Sequence, residues 1–172
     1  MIAFSADILI SVITMLDKFL ITQDGYKRLE QELHHLKSVE RPSVITAIAE
    51  ARAHGDLSEN AEYSSAKEKQ GFIEAKIADL DAKIARAEII NTENIKSDSV
   101  LFGAKVVLID QDTDKQYSYQ LVSDYEADLS SGLISIASPL GKALLGKKTS
   151  SEVEVETPKG TKYYEILNIS YS

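Results

Sequence analysis

The chain has 172 residues, with 19 Lys and Arg against 27 Asp and Glu, three His, no Cys and a formal net charge of −8. This length supports one compact domain or two small ones without cross-links, and the lack of Cys excludes disulfides, thiolate metal sites and Cys nucleophiles. An acidic chain without a basic block is a poor direct ligand for phosphate backbones, which are bound through Lys and Arg, so contact with RNA or DNA would be local or made through a protein partner.

The opening segment, residues 1–14 (MIAFSADILISVIT), is apolar. It lacks a positive n-region and a small-residue cleavage site, Asp7 interrupts it, and it is too short to span a bilayer. The expectation is an extension ahead of a native start at Met15, with 1–21 forming extension and lead-in. Beyond it, Leu29, Leu33 and Leu36 step by four and three, and Ile45 and Ile48 resume the stripe. This predicts a long helix capped by Thr22 or Asp24, with Pro42 kinking or loosening it near Glu40–Ser43.

Ile73, Ile77, Leu80, Ile84 and Ala87 then form a heptad seam, the pattern of a two-helix coiled coil. Between the two helices lies His54-Gly55-Asp56-Leu57. Gly55 can take the left-handed conformation that ends a helix, and Asp56 can cap the next. So short a connection makes the helices antiparallel neighbours. The hairpin, 22–90, is expected to be about 45 Å long at ~1.5 Å per residue, with its acidic tip near 54–62.

The polar stretch 91–100 is expected to be a linker. After it the period becomes two, which predicts strands at Phe102–Ile109, Gln116–Val122, Leu133–Ile136, Glu152–Glu156 and Tyr163–Ile169. Asp110–Asp114 and Pro158–Gly160 provide turns. Ser138 as cap and Pro139 at the first helical position open a short helix. The fold class is therefore α+β: a long antiparallel helical hairpin followed by a small mixed-sheet domain over 101–172.

The tip carries the chemistry. Asp56 and Glu59 are three apart and share a face if the second helix starts there. Two outward carboxylates can hold a divalent cation through hard oxygen ligands, with waters and a partner's groups completing the shell. The same D-x-x-E spacing is also a capping box, and acids favour helix N-termini through the dipole. From spacing alone the cap is the commoner meaning, and both uses compete for the same lone pairs. His54 could be a helix cap or a ligand, Tyr63 is expected to pack at the tip, and Arg52 could meet the tip carboxylates or a partner's phosphate.

Three runs make the pattern specific: Lys37-Ser-Val-Glu-Arg-Pro42, Ile48 through Gly55-Asp-Leu-Ser-Glu-Asn-Ala-Glu-Tyr63, and Ala66-Lys-Glu-Lys-Gln70. With Phe102-Gly-Ala104, Glu126-Ala-Asp128, Ile134 to Leu140 and Ala143 to Lys147 following in order, the chain resembles the Gre transcript-cleavage and transcription elongation factors, on the GreA branch, from about Phe19 to Tyr171. The resemblance implies that the hairpin enters the secondary channel of RNA polymerase. Asp56 and Glu59 would then help hold the polymerase's second Mg2+, promoting hydrolysis of backtracked RNA and rescuing arrested complexes. It further implies that the polymerase is the enzyme and this chain is not one, that the free protein binds no cofactor, and that it touches the RNA 3′ end only indirectly. An FKBP-like C-terminal domain would dock outside through the Ser138-Pro139 loop. A cytoplasmic monomer with no membrane association is expected.

Two departures from the family pattern stand out: Ser150-Ser151 where Gly-Asp is common, and Gly141 where Ala is usual, which should weaken the short helix by up to about 1 kcal/mol. The main competing function is a channel-binding inhibitor without cleavage activity. A prolyl isomerase is suggested by the FKBP-like resemblance alone, in a domain with Phe102 as its one phenylalanine and no Trp.

Overall fold

The computed structural model describes residues 18–53, 55 and 60–171. The segment 1–14, His54, Asp56 and Glu59 lie outside the described residues. The chain divides into two compact units, one containing Asp24–Ala87 and the other joining Phe19–Gln23 to the chain from Glu88 onward. No helix among the described residues is long and apolar enough to cross a membrane.

Strand β1 (Phe19–Thr22) pairs with β2 (Ala87–Ile90) in a two-stranded sheet. Between them run α1 (Gln23–His35), a π-helical turn (Leu36–Glu40), α2 (Arg41–Ala53) and α3 (Ala61–Arg86). Thr22 thus stands at the capping position of α1, and Asp24 lies inside the first turn, where a carboxylate suits the positive end of the helix dipole.

Pro42 has no N–H to offer the Ser38 carbonyl, and its ring crowds that carbonyl. The helix widens just before it: the Arg41 N–H donates to the carbonyl of Leu36, five residues back. The loosening therefore lies at Leu36–Glu40, ahead of the expected Glu40–Ser43. A π turn inserts one residue into the helical rhythm. Without it, the four-and-three steps from Leu36 would bring Ser43, Ala47 and Glu50 to the seam. With it, Val44, Ile48 and Ala51 arrive there. Val44 and Ala51 are each 3% exposed, and Ile45, expected in the stripe, is 51% exposed.

From α3, Ile73, Ile77 and Leu80 are buried against Leu36 and Val44, with Leu29, Leu33, Ile48 and Ala66 packed around them. Ala87 was expected to close the heptad. It begins β2 instead, with φ −70° and ψ 131°, and its N–H donates to Ile84 as the helix ends. Ion pairs flank the seam: Lys37 with Asp81 at 2.9 Å, Lys69 with Glu40 at 3.3 Å, and Arg41 clasping Glu74 through two guanidinium nitrogens, Nε and Nη2. Each buried Leu or Ile contributes about 1.5–3 kcal/mol, and each exposed pair up to about 1 kcal/mol. The apolar seam holds the hairpin together, and the ion pairs set its register.

The second unit is a five-stranded sheet of β3 (Lys105–Asp110), β4 (Gln116–Val122), β5 (Leu133–Ser135), β6 (Glu152–Thr157) and β7 (Gly160–Ser170), in the order β5-β4-β3-β7-β6. Only the β4–β5 pairing is parallel. One face carries Val106, Leu108, Leu121, Val153, Val155 and Ile166 into a core completed by Ile134 and by Leu144 of the short helix α4 (Pro139–Leu144). The α+β architecture is the expected one.

Two element edges differ from expectation. Val100, at the end of the stretch expected to be a linker, is fully buried in this core. The first strand of the sheet begins at Lys105 and not at Phe102, because Phe102-Gly103 turns: the Ala104 N–H donates to Leu101, and the Gly103 N–H donates to Leu121 at 2.7 Å. Gly141 also has a different meaning from the expected one. A Cβ there would sit 2.1 Å from the Ser135 carbonyl oxygen, so the glycine permits α4 to press against backbone.

Ser150 occupies its turn with φ +63°, a conformation that costs a non-glycine residue about 1–2 kcal/mol. Its N–H still reaches Ile166 at 2.7 Å, so the turn closes despite the departure from Gly-Asp. Ser150→Gly should raise stability by about 0.5–1 kcal/mol in urea unfolding, the strain released less the extra chain entropy of glycine in the unfolded state. An unchanged or lower midpoint would count against the strain.

Asp110 ends β3 and is 1% exposed. One carboxylate oxygen accepts from the N–H groups of Asp112 and Thr113 at 3.0 and 3.1 Å, and the other accepts from Lys162 Nζ at 2.9 Å. The Lys162 ammonium is the main cause holding the carboxyl below its ordinary value of 3.8; burial opposes it, and the turn N–H groups assist. A carboxyl depressed in the folded state contributes stability above its ordinary pKa and loses it as pH falls through the folded value. The urea midpoint should therefore drop on acidification below about pH 4. Asp110→Asn should be less stable at neutral pH and show a flatter acid limb; an unaltered acid limb in that variant would refute the assignment.

Candidate functional site

Helix α2 ends at Ala53 and α3 begins at Ala61, so the hairpin reverses over 54–60. The last four carbonyls of an α-helix have no helical N–H to accept from. Gly55 meets one of them: its N–H donates to Arg52 at 3.4 Å, with φ +111°. That conformation, and not lack of room, demands glycine, since a Cβ there would meet nothing within 4 Å.

Asn60 meets two needs at once. Its side-chain oxygen accepts from the Tyr63 N–H at 3.0 Å, which makes it the N-cap of α3. Its amide nitrogen donates to the Ala51 carbonyl at 2.9 Å, one of the orphans at the end of α2. Above this bridge the Arg52 guanidinium lies over the Tyr63 ring, 5.8 Å from its centroid, within cation–π reach. Tyr63 packs at the tip as expected, and Arg52 is drawn to the ring. The N-cap of α3 is Asn60 and not the expected Asp56; Asp56 and Glu59 themselves lie outside the described residues. Asn60, as good a cap residue as Asp, stands just before the first residue of the helix. Glu62 lies in the first turn of α3 and is exposed.

Among the described residues, no group of three or more His, Asp or Glu is arranged to hold a metal. In the second unit, Ser138 caps α4: its Oγ accepts from the Gly141 N–H at 3.0 Å and donates to the Ser135 carbonyl at 2.6 Å. Ser138 and Pro139 line an open groove of about 490 Å³ with Tyr119, Leu133, Val155 and Tyr164. Burial pushes the Tyr119 and Tyr164 hydroxyls up from their ordinary value. Elsewhere in this unit the buried Glu126 carboxylate accepts from the Thr22 N–H at 3.1 Å, from the Thr22 hydroxyl and from the Ser123 hydroxyl at 3.0 Å. That link spans 104 positions, and nothing local in the sequence announces it.

Residues 19–89 match the family described as transcription elongation factor, N-terminal, and residues 95–171 match the GreA/GreB C-terminal part. The chain belongs to the GreA/GreB family of transcription elongation factors. It is 51% identical over 156 residues to transcription elongation factor GreA of Phenylobacterium zucineum, covering 91% of this chain and 99% of the relative. It is 55% identical over 157 residues to GreA of Rickettsia bellii, covering 91% and 97%. Among solved structures, the GreA factor homolog 1 of Thermus thermophilus is 29% identical, covers 89% of this chain and 99% of its own, and superposes with a TM-score of 0.41.

Two glycines of the hairpin should respond in opposite ways to alanine. Gly71 lies inside α3, exposed and with open space for a Cβ, so Gly71→Ala should stabilise the hairpin by about 1 kcal/mol. Gly55→Ala should destabilise it by about 1–2 kcal/mol, through backbone conformation alone. Thermal unfolding followed by circular dichroism would test both, and shifts of the same sign would refute the contrast.

Proposed function

We propose that this chain binds RNA polymerase, passes its hairpin into the secondary channel and stimulates the polymerase's own Mg2+-dependent cleavage of backtracked nascent RNA, so that arrested complexes resume. The chain itself is a cytoplasmic monomer and not an enzyme; the polymerase does the hydrolysis. Asp56 and Glu59 are the residues assigned to the reaction. The donor set fits: two carboxylates are hard ligands suited to Mg2+ but too few to hold it alone, so a partner must supply the rest. Asp56 and Glu59 would help hold a metal ion that, when bound, would supply Lewis-acid chemistry for hydrolysis. The role of this chain is to deliver the two carboxylates and hold them there.

The observation that carries this reading is the cap. Asn60 takes the N-cap of α3, so the two carboxylates are not needed for that duty. Membership of the family over both halves of the chain supports it further. Ser138 and Pro139, beside the apolar groove, are the proposed contact with the outer surface of the polymerase.

Asp56→Ala and Glu59→Ala should each keep polymerase binding and lose stimulated cleavage by at least about 100-fold, the scale of a lost transition-state electrostatic contact. The assay is release of short RNA from a stalled, backtracked complex, with binding measured in parallel. Wild-type cleavage by the double variant would defeat the mechanism. Inhibition of elongation without cleavage by the unaltered chain would assign the inhibitor function instead.

A further inference from the structure

We propose that Asn60 is a positioning residue for the acidic tip, acting by tying the end of α2 to the start of α3. The inference rests on the cleavage-factor reading above and deepens it. A hairpin tip that must present two carboxylates to a metal held by another protein has a geometric problem. Its two helices end on separate, fraying turns, and each has unsatisfied backbone groups. An ordinary N-cap side chain satisfies one helix only. Asn60 has both an acceptor and a donor on one short side chain. It uses the acceptor on Tyr63 of α3 and the donor on Ala51 of α2. Ala51 is itself 3% exposed, locked in the seam, so the bridge is anchored to the packed part of the hairpin and not to a fraying end.

The consequence is a fixed span. The chain that carries Asp56 and Glu59 must leave α2 and return to α3 between two points that one amide holds together. Ser or Asp would serve as well as a cap, but an aspartate has no proton to give, and the serine side chain ends one atom short of the amide nitrogen that reaches Ala51. An aspartate would turn a carboxylate oxygen towards a carbonyl oxygen. The demand for asparagine is therefore the demand for the bridge. A contact that fixes geometry without touching substrate affects the rate at saturation more than the affinity, since small misplacements of reacting groups can cost about 100-fold.

The test uses the full chain on a stalled, backtracked polymerase complex, with cleavage followed over a range of factor and Mg2+ concentrations. Asn60→Ser keeps the cap and removes the bridge. Asn60→Asp keeps the cap and opposes the bridge. Expected for both is a maximal cleavage rate at least about tenfold lower, a higher Mg2+ concentration for half the effect, and an unchanged factor concentration for half-saturation. Amide hydrogen exchange of the free variants should show faster exchange at Gly55 and unaltered protection in the middle of α3. Cleavage at the wild-type maximal rate by Asn60→Ser would overturn the proposal while leaving the functional reading intact. So would a loss confined to half-saturation, or lost protection throughout α3, since each would make the role one of binding or folding. No stimulation by the unaltered chain would overturn both.

Discussion

The hairpin depends on keeping one apolar stripe in phase along a chain that contains a proline. An α-helix advances its side chains by a fixed angle, so the rhythm that places Leu29, Leu33 and Leu36 on the seam would continue onto Ser43, Ala47 and Glu50. A buried glutamate at the seam would cost several kcal/mol. The π turn at Leu36–Glu40 absorbs one residue, and everything beyond it shifts to Val44, Ile48 and Ala51. Pro42, which cannot donate to Ser38, makes the widened turn the cheaper local conformation. The residue that disrupts the helix thus stands beside the turn that restores its packing. The ion pairs and the position of Ala51 follow from that phase.

The legible parts of the fold are those governed by short periods. Ile73, Ile77 and Leu80 step along α3 without interruption and β6 alternates buried and exposed residues, so both are legible from pattern alone; β4 falls on its expected bounds although its burial does not alternate, and β7 begins at Gly160, ahead of the expected Tyr163. Ile45 was misplaced because counting assumes a constant period and the π turn changes it. Phe102 reads as the start of a strand because its apolar neighbours resemble one; the turn at Gly103 is set by the hydrogen bond to Leu121, which no local pattern contains. The Thr22–Glu126 link is illegible for the same reason: it joins positions far apart in the chain through side chains that are each common on surfaces.

The candidate site was legible in a different way. Spacing could not separate metal-binding carboxylates from helix caps, since the same atoms serve both. The long run from Ile48 to Tyr63 supplied the functional expectation, and family membership over both halves of the chain agrees with it. What spacing could not show is that Asn60 holds the cap and reaches across to Ala51. A side chain's second hydrogen bond is a matter of three-dimensional placement, and the sequence holds only its capacity for one.

The pairing of β1 with β2 has a consequence for how the chain can be divided. The hairpin starts directly after Thr22 and ends directly before Ala87, and those two residues belong to strands hydrogen-bonded to one another. In chain order it is an insertion, bracketed by a clasp, and Phe19–Gln23 belongs with the residues from Glu88 onward. A cut near residue 90 would therefore not yield two natural halves, because the later fragment would lose β1 and leave the Glu126 carboxylate without Thr22. The interchangeable module is the stretch between the two strands. Its reach can be altered by adding or removing equal heptads on both helices, with the clasp untouched.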